Sequence, residues 1–417
     1  MSMLLSPELV VGQVPGRDIV VRLEDFIIIL LMVAWFATKA LRKDESFVVK
    51  TPLNFNILLY ALVFVLLTGR GMIAAGVDPL KGFFYVLKYL EYFMIYFLTA
   101  TFIRRKSQVK LHVILLLATF AIVNIYAISR IGHDARLSAP FEGNAQPNTL
   151  GGYQVLLMAL ALGLFLHIRS GLARIILAGL VLLTIPPFLF TLSRSGYSAV
   201  FPMYLTFFIF VPSKRVLLLI VGIITLIAGL LFMPEEVGSR LKYTFETTQT
   251  QEVKPVKVGD IRLDSSASAR IRSWQEVLKA WRMQPFFGYG VTGKGFLDGQ
   301  YMTTLVDLGA IGFLAFIFLL GSISRQTINV YRAVKEPLLK GITIGFFAGH
   351  VGIMAHAITA NTFIIIRIME PYWFLAALVM VLPQIEVRDQ KKEPALERPA
   401  GHKAESLPEL VSLGERM

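Results

Sequence analysis

The chain has no cysteine, which excludes disulfides, thiolate nucleophiles and thiolate metal ligation. Charge is also scarce: 17% of the 417 residues are charged while 55% are hydrophobic. Mean hydropathy is +0.64. These values exclude a disordered or ordinary soluble protein and indicate a polytopic membrane protein. The stretch from Met1 to Asp25 lacks a basic start followed by an apolar run, so no cleavable signal is expected. Acidic residues are the rarer sign, 28 against 41 Lys and Arg, for a net charge of +13. Most of the basic residues sit in short loops between apolar runs, as membrane orientation requires, and no nucleic-acid partner is expected. No internal repeat and no convincing metal-ligand cluster are visible, and neither a metal nor a cofactor is expected.

What the chain has in quantity is apolar runs near twenty residues, long enough to cross a hydrocarbon core about 30 Å thick. They fall at 24–41, 53–68, 80–103, 109–129, 151–168, 172–192, 196–212 and 215–233, then at 301–322, 338–358 and 362–383. The expected fold is an all-α polytopic transmembrane helix bundle of about eleven crossings. The expected divisions are 1–23, 24–233, a long loop 234–300, 301–383, and a polar tail 384–417 read as disordered. The first 23 residues are either the remnant of a twelfth, leading helix or an interfacial segment.

Alternate short loops differ in charge. One set carries sixteen Lys and Arg, including Lys39, Arg104, Arg174, Lys214 and Lys340; the other carries seven, including Arg70, Arg136, Arg194 and Arg367. The first set is expected to be cytoplasmic. The long loop carries ten basic residues, but loops of that length translocate largely regardless of charge. It is therefore expected outside, with the C-terminus inside.

Several residues stand out against this background. Lys88 and Glu91 lie three apart inside the third run, where ionisable groups are costly; they can neutralise each other on one helix face, in a functional or a packing role. His350 and His356 read as packing or hydrogen-bonding residues, and Arg367 and Glu370 as a structural pair. Ser193-Arg194-Ser195-Gly196 makes a tight outer turn in which Arg194 either snorkels to headgroups or offers a planar fork to phosphate oxygens.

The long loop turns polar at Thr244 to Gln251 and then carries a helix with Ser268 as N-cap, ending before Pro285. Ile271, Trp274, Val277, Leu278 and Trp281 share one arc of it, and Arg272, Gln275, Lys279 and Arg282 lie on the wet side. Arg270 falls on the apolar arc, where a cation needs a partner. It either converges with Arg194 on a diphosphate or stacks on Trp274 or bonds carbonyls. Gly288 to Gly295 fits most of a phosphate-loop string, but Gly295 stands where Ser or Thr is required; its glycines read as turns. Asp298 is placed either to act as a general base or to cap the next helix, and Tyr301 opens that helix as a polar group in the bundle.

Taken in order, Asn148 to Tyr153, Ser193 to Gly196, Ala269 to Trp274, Pro285 to Gly290 and Asp298 to Gly309 resemble the O-antigen ligase/polymerase superfamily of bacterial membrane glycosyltransferases. The resemblance covers most of the membrane part and implies a GT-C-like bundle in the inner membrane. It implies transfer of a glycan from a polyprenyl diphosphate to an acceptor sugar hydroxyl, with inversion, at the periplasmic face. The family's two diphosphate-binding arginines match Arg194 and Arg270, and no metal is implied. The ligase branch has a His-Asn pair where this chain has Asp298-Gly299, which favours a polymerase and leaves the catalytic base as Asp298, a residue elsewhere or none. Implied partners are the lipid-linked donor, a glycan acceptor, membrane lipids and chain-length or export proteins. A ligase to lipid A core or protein, and a flippase of lipid-linked oligosaccharide, are the alternatives.

Overall fold

The computed structural model describes residues 9–14, 17–41, 49–140, 146–220, 222–223, 257–258, 261–262, 265–294 and 299–392. A hairpin of β1 (Leu9–Val14) and β2 (Arg17–Val21) comes first; these residues form no leading helix. The helices that follow are α1 (Leu23–Leu41), α2 (Asn54–Ala74), α3 (Pro79–Phe102), α4 (Lys106–Ser129), α5 (Pro147–His167), α6 (Gly171–Phe190) and α7 (Arg194–Phe210). A two-residue hairpin, β3 (Lys257–Val258) with β4 (Ile261–Arg262), precedes α8 (Ser265–Met283). Then come α9 (Gln300–Ala333), α10 (Pro337–His356) and α11 (Ile366–Lys392).

Among the described residues, eight helices are long and apolar enough to cross a membrane. A ninth is counted if α7 and the short helix Pro212–Ile220, bent by 105°, form one broken span. Within α1, Asp25–Thr38 is apolar but shorter, and most of the expected 215–233 run lies outside the described residues. The fold is an all-α polytopic bundle. Arg325 and Arg332, expected in a loop, belong to α9 because that helix runs on to Ala333.

The centre of the bundle is α5 packed on α10. A Cβ added at Gly163 would stand 2.5 Å from the Gly341 carbonyl oxygen, and one at Gly345 2.8 Å from the Leu160 Cα. Gly341, Gly345 and Gly349 recur every four residues, so one face of α10 offers bare backbone. Close backbone approach of this kind is how helices associate where apolar burial gives no advantage over lipid. Side chains all round α5 are consequently buried, while α1 exposes Leu30 and Val33, as a peripheral helix facing hydrocarbon does. Inside the bundle, polar groups meet one another: Gln154 donates to Asn124 at 2.9 Å and Asn124 to Thr184 at 3.1 Å.

Lys88 does bridge Glu91 at 2.6 Å, and Asp25 of α1 joins at 2.7 Å. The third partner ties the peripheral helix to α3. His350 is fully occupied, bonded to Ser324 at 2.9 Å and Tyr372 at 2.8 Å, in agreement with a packing role.

Candidate active site

The Ser193–Gly196 turn is fixed from three directions. Thr191 Oγ1 donates to the Phe188 carbonyl at 2.7 Å and accepts from the Ser193 N–H at 3.2 Å. Ser193 Oγ caps α7 by accepting from the Gly196 N–H at 3.2 Å, and donates to Asn148 Oδ1 at 2.7 Å. Ser195 Oγ reaches the same Asn148 oxygen at 3.4 Å. From the 130–140 connection, Arg136 donates to the Leu192 carbonyl at 3.1 Å and the Leu137 N–H to the Phe190 carbonyl at 3.1 Å. Leu192 is held at φ +52°, a conformation costing a non-glycine residue about 1–3 kcal/mol. A turn bonded this densely can hold it.

Arg194 is the first residue of α7 and is half-buried, between two serines that are 0% and 1% exposed. Asn148 sits in the first turn of α5. The Asn148–serine bonds therefore bring the N-termini of α5 and α7 together beside Arg194. A helix N-terminus carries about half a positive charge, so two of them and a guanidinium lie close together at this end.

A second face of the same end comes from α10, α11 and their connection. A Cβ at Gly151 would lie 3.3 Å from Ser193 Cβ, and one at Gly152 3.3 Å from His356 Cε1 and 2.5 Å from Ile368 Cδ1. Consecutive glycines of α5 thus place His356 and the start of α11 next to the Arg194 turn. His356 Nδ1 bonds Thr362 Oγ1 at 2.7 Å, while its Nε2 is buried without a partner. Arg367 is 1% exposed and donates through Nη1 to the Pro140 carbonyl. Sequence reasoning treated Arg367 as half of a pair with Glu370 and counted Arg136 only for orientation. The available signal was an arginine inside an apolar run. Which carbonyl it meets, 227 residues away, is a property of the folded chain.

The loop helix reaches this end through the start of α9. Gln300 N donates to the Ala357 carbonyl at 2.9 Å, Gln300 Oε1 accepts from the Phe363 N–H at 3.0 Å, and Thr303 donates to Asn361 at 3.0 Å. Gly299, at φ +98°, would place a Cβ 2.7 Å from the Ile358 carbonyl and 3.5 Å from Trp274 Nε1. Tyr301 donates to the Met354 carbonyl at 2.8 Å, a bundle-interior contact as expected. Trp274 is therefore beside the loop that holds His356 and Thr362, and Arg270 stands one helical turn before it on α8. The Arg270 side chain and all of Asp298 lie outside the described residues. The N-cap position of α9 is Gly299, so Asp298 precedes the cap and does not occupy it.

The helix α8 begins at Ser265, which corrects the expected N-cap at Ser268. Val277 is buried and Trp274 and Trp281 are half-buried, but Leu278 is 39% exposed and Arg272, expected on the wet face, is half-buried. The buried side is therefore centred nearer Val277, Trp281 and Trp274, with Leu278 at its open edge.

The chain returns from α8 by a backbone joint. The Gly290 N–H donates to the Asp307 carbonyl at 2.7 Å, Tyr289 N–H to Val306 at 3.1 Å, and Ala310 N–H to Pro285 at 2.8 Å. To receive these, α9 breaks at Gly309, which adopts φ +62° and ψ −169°. Gly288, at φ +64°, would place a Cβ 2.4 Å from the Asp307 oxygen. Arg70 of α2 completes the joint, donating to the Gly288 carbonyl at 3.1 Å with its guanidinium over Phe287. Gly288, Gly290 and Gly293 make turns as expected, and Gly295 lies outside the described residues.

The geometry is that of a polytopic membrane protein with a dense polar constellation at one end of the bundle. The family model described as O-antigen ligase matches residues 180–317, from within α6, through the Arg194 turn and the loop helix, into α9. The match supports assignment to the O-antigen ligase/polymerase superfamily. No curated protein matches the chain.

Proposed function

We propose that the protein is a membrane glycan polymerase using a polyprenyl-diphosphate-linked donor. The observation that carries the proposal is the meeting of the α5 and α7 N-termini around Arg194, bound together through Asn148 and the two serines. A diphosphate is the leaving group such a site suits, because its charge grows as the glycosidic bond breaks. Arg270, one turn from Trp274, supplies the second cation. The acceptor hydroxyl attacks the anomeric carbon, the carbon–oxygen bond to the diphosphate breaks, and the hydroxyl proton passes to Asp298. Attack from the face opposite the leaving group inverts the anomeric centre. The charge bias of the short loops supports a reading with this end on the periplasmic side of the inner membrane and the C-terminus in the cytoplasm.

Asp298-Gly299 in place of a His-Asn pair favours polymerase; the ligase description of the matched family keeps transfer to lipid A core or protein as the second reading. Reconstitution with a polyprenyl-diphosphate-linked repeat unit, without nucleotide, separates them. Lengthened glycan with released polyprenyl diphosphate is the expected result; transfer only to a lipid A core acceptor would mean ligase. Movement of intact substrate between leaflets would mean a flippase. Arg194→Ala and Arg270→Ala should each lower turnover by about 10²–10³-fold with unchanged expression, and near-normal rates in both would remove the clamp.

A further inference from the structure

At the opposite end of the bundle, about 30 Å away along the 21 residues of α5, a pocket of about 400 Å³ opens between three connections. Its lining includes Arg169 and Arg174 from the α5–α6 junction, Lys214 after α7, and Lys335 and Lys340 around the start of α10, with His167 at its wall. Neither Asp nor Glu lines it among the described residues. The nearby carboxylates are engaged elsewhere: Glu336 pairs with Lys106 at 2.6 Å, and Glu386 accepts from the Lys335 and Glu336 backbone N–H groups. Arg174, Lys214 and Lys340 are half-buried, and none of the three has an acidic partner among the described residues. Arg174 leans on the Phe165 ring and Lys340 on Tyr331.

Membrane orientation asks only that cations lie near one end of the helices. It does not ask that cations from three separate connections face one cavity. Gathering like charges without counter-charge is unfavourable, so an anion is the missing component.

We propose that this pocket binds the phosphate headgroup of an anionic phospholipid. The immediate surroundings favour a lipid over a free phosphate. Leu172, Ile175 and Ile176 flank Arg174 on α6, and Val216, Leu219 and Ile220 follow Lys214; all six are more than half exposed. They put exposed apolar surface on two sides of the pocket, against which acyl chains would lie. Basic pockets between transmembrane helices recognise acidic headgroups in this way. The lipid would fasten the α5–α6 junction to the α9–α10 junction, at the far ends of the two helices that build the candidate active site.

The test uses the full chain purified in a neutral detergent. Lipid retention is read by native mass spectrometry and thermal stability by melting, with phosphatidylglycerol, phosphatidylcholine and inorganic phosphate as separate additions. Phosphatidylglycerol should be retained and raise Tm, while phosphatidylcholine should do neither. Arg169→Gln with Lys214→Gln should weaken retention about 30-fold, at the usual strength of a juxtamembrane cation towards an acidic lipid. Lys110→Gln, at the same end but outside the pocket, should leave it unchanged. Should the double variant fail to fold, Lys335→Gln alone, at an exposed position, should still weaken retention. Equal retention of phosphatidylcholine, or equal retention in all variants, overturns the proposal. An equal Tm rise with inorganic phosphate would make this a free-phosphate site and overturns the lipid assignment. Retention appearing only after removal of residues 393–417 would make the chain's own tail the occupant, and overturns it too.

Discussion

The two ends of the bundle use cations in opposite ways. At the end with the Arg194 turn, arginines are tied to backbone: Arg136 to Leu192, Arg367 to Pro140 and Arg70 to Gly288. At the other end, Arg169, Arg174, Lys214, Lys335 and Lys340 face a cavity with no carboxylate in its lining. A guanidinium held by carbonyls has its direction set before any ligand arrives, which is what recognition of a developing charge requires. Lysines around an open pocket attract an anion without dictating its geometry, which suits a lipid whose phosphate can settle in several poses. On the proposed roles, orientation matters at one end and charge at the other.

This contrast can be broken by experiment. The largest effect is expected from Arg194→Lys, which keeps the charge and discards the fork. We predict that turnover in the reconstituted assay falls about 10²-fold, and activity near normal would show that charge alone suffices there. Gly288→Ala comes next: with φ at +64° and a Cβ 2.4 Å from the Asp307 oxygen, it should destabilise the loop joint by at least about 2 kcal/mol. A melting curve matching the parent would show that the joint relaxes freely. Ser193→Ala removes both the α7 cap and the Asn148 bond; the expected cost is about 1–2 kcal/mol, with a fall of about tenfold in turnover as Arg194 loses its fixed direction. Loss of stability without loss of turnover would separate the cap from the chemistry. The smallest effect belongs to the other end: Lys214→Arg should change phosphatidylglycerol retention by no more than about twofold, and a large change would mean that geometry matters there as well.

Much of the frame was legible in the sequence because a transmembrane run is a local property. The expected 80–103 and 172–192 runs correspond to Pro79–Phe102 and Gly171–Phe190. The turn at Arg194 was legible for the same reason, since serines and a glycine between two apolar runs leave few alternatives. The break at Gly309 was not. A glycine in an apolar run looks like any other until the Pro285–Gly290 segment is seen to claim its backbone. The third member of the Lys88 network lies 63 residues away, beyond the reach of helix spacing. The phase of α8 was misjudged at Leu278 and Arg272 because periodicity defines an arc, and only the contact with α9 says which part of the arc is pressed. Asn148 belonged to a recognisable segment, but its task of joining two helix starts shows only in the fold.

The joint between Pro285–Gly290 and the broken α9 has a consequence for how such a protein can diversify. Its bonds to α9 run from main chain to main chain, so side chains that neither Arg70 nor the end of α8 touches are free to drift while the attachment persists. Within it, Gly288 and Gly290 must be kept, because a Cβ at either would meet backbone. The natural seam for chimeras is therefore upstream of Ser265. There, the preceding loop could be exchanged as a cassette while the clasp that returns the chain to the membrane stays with its host.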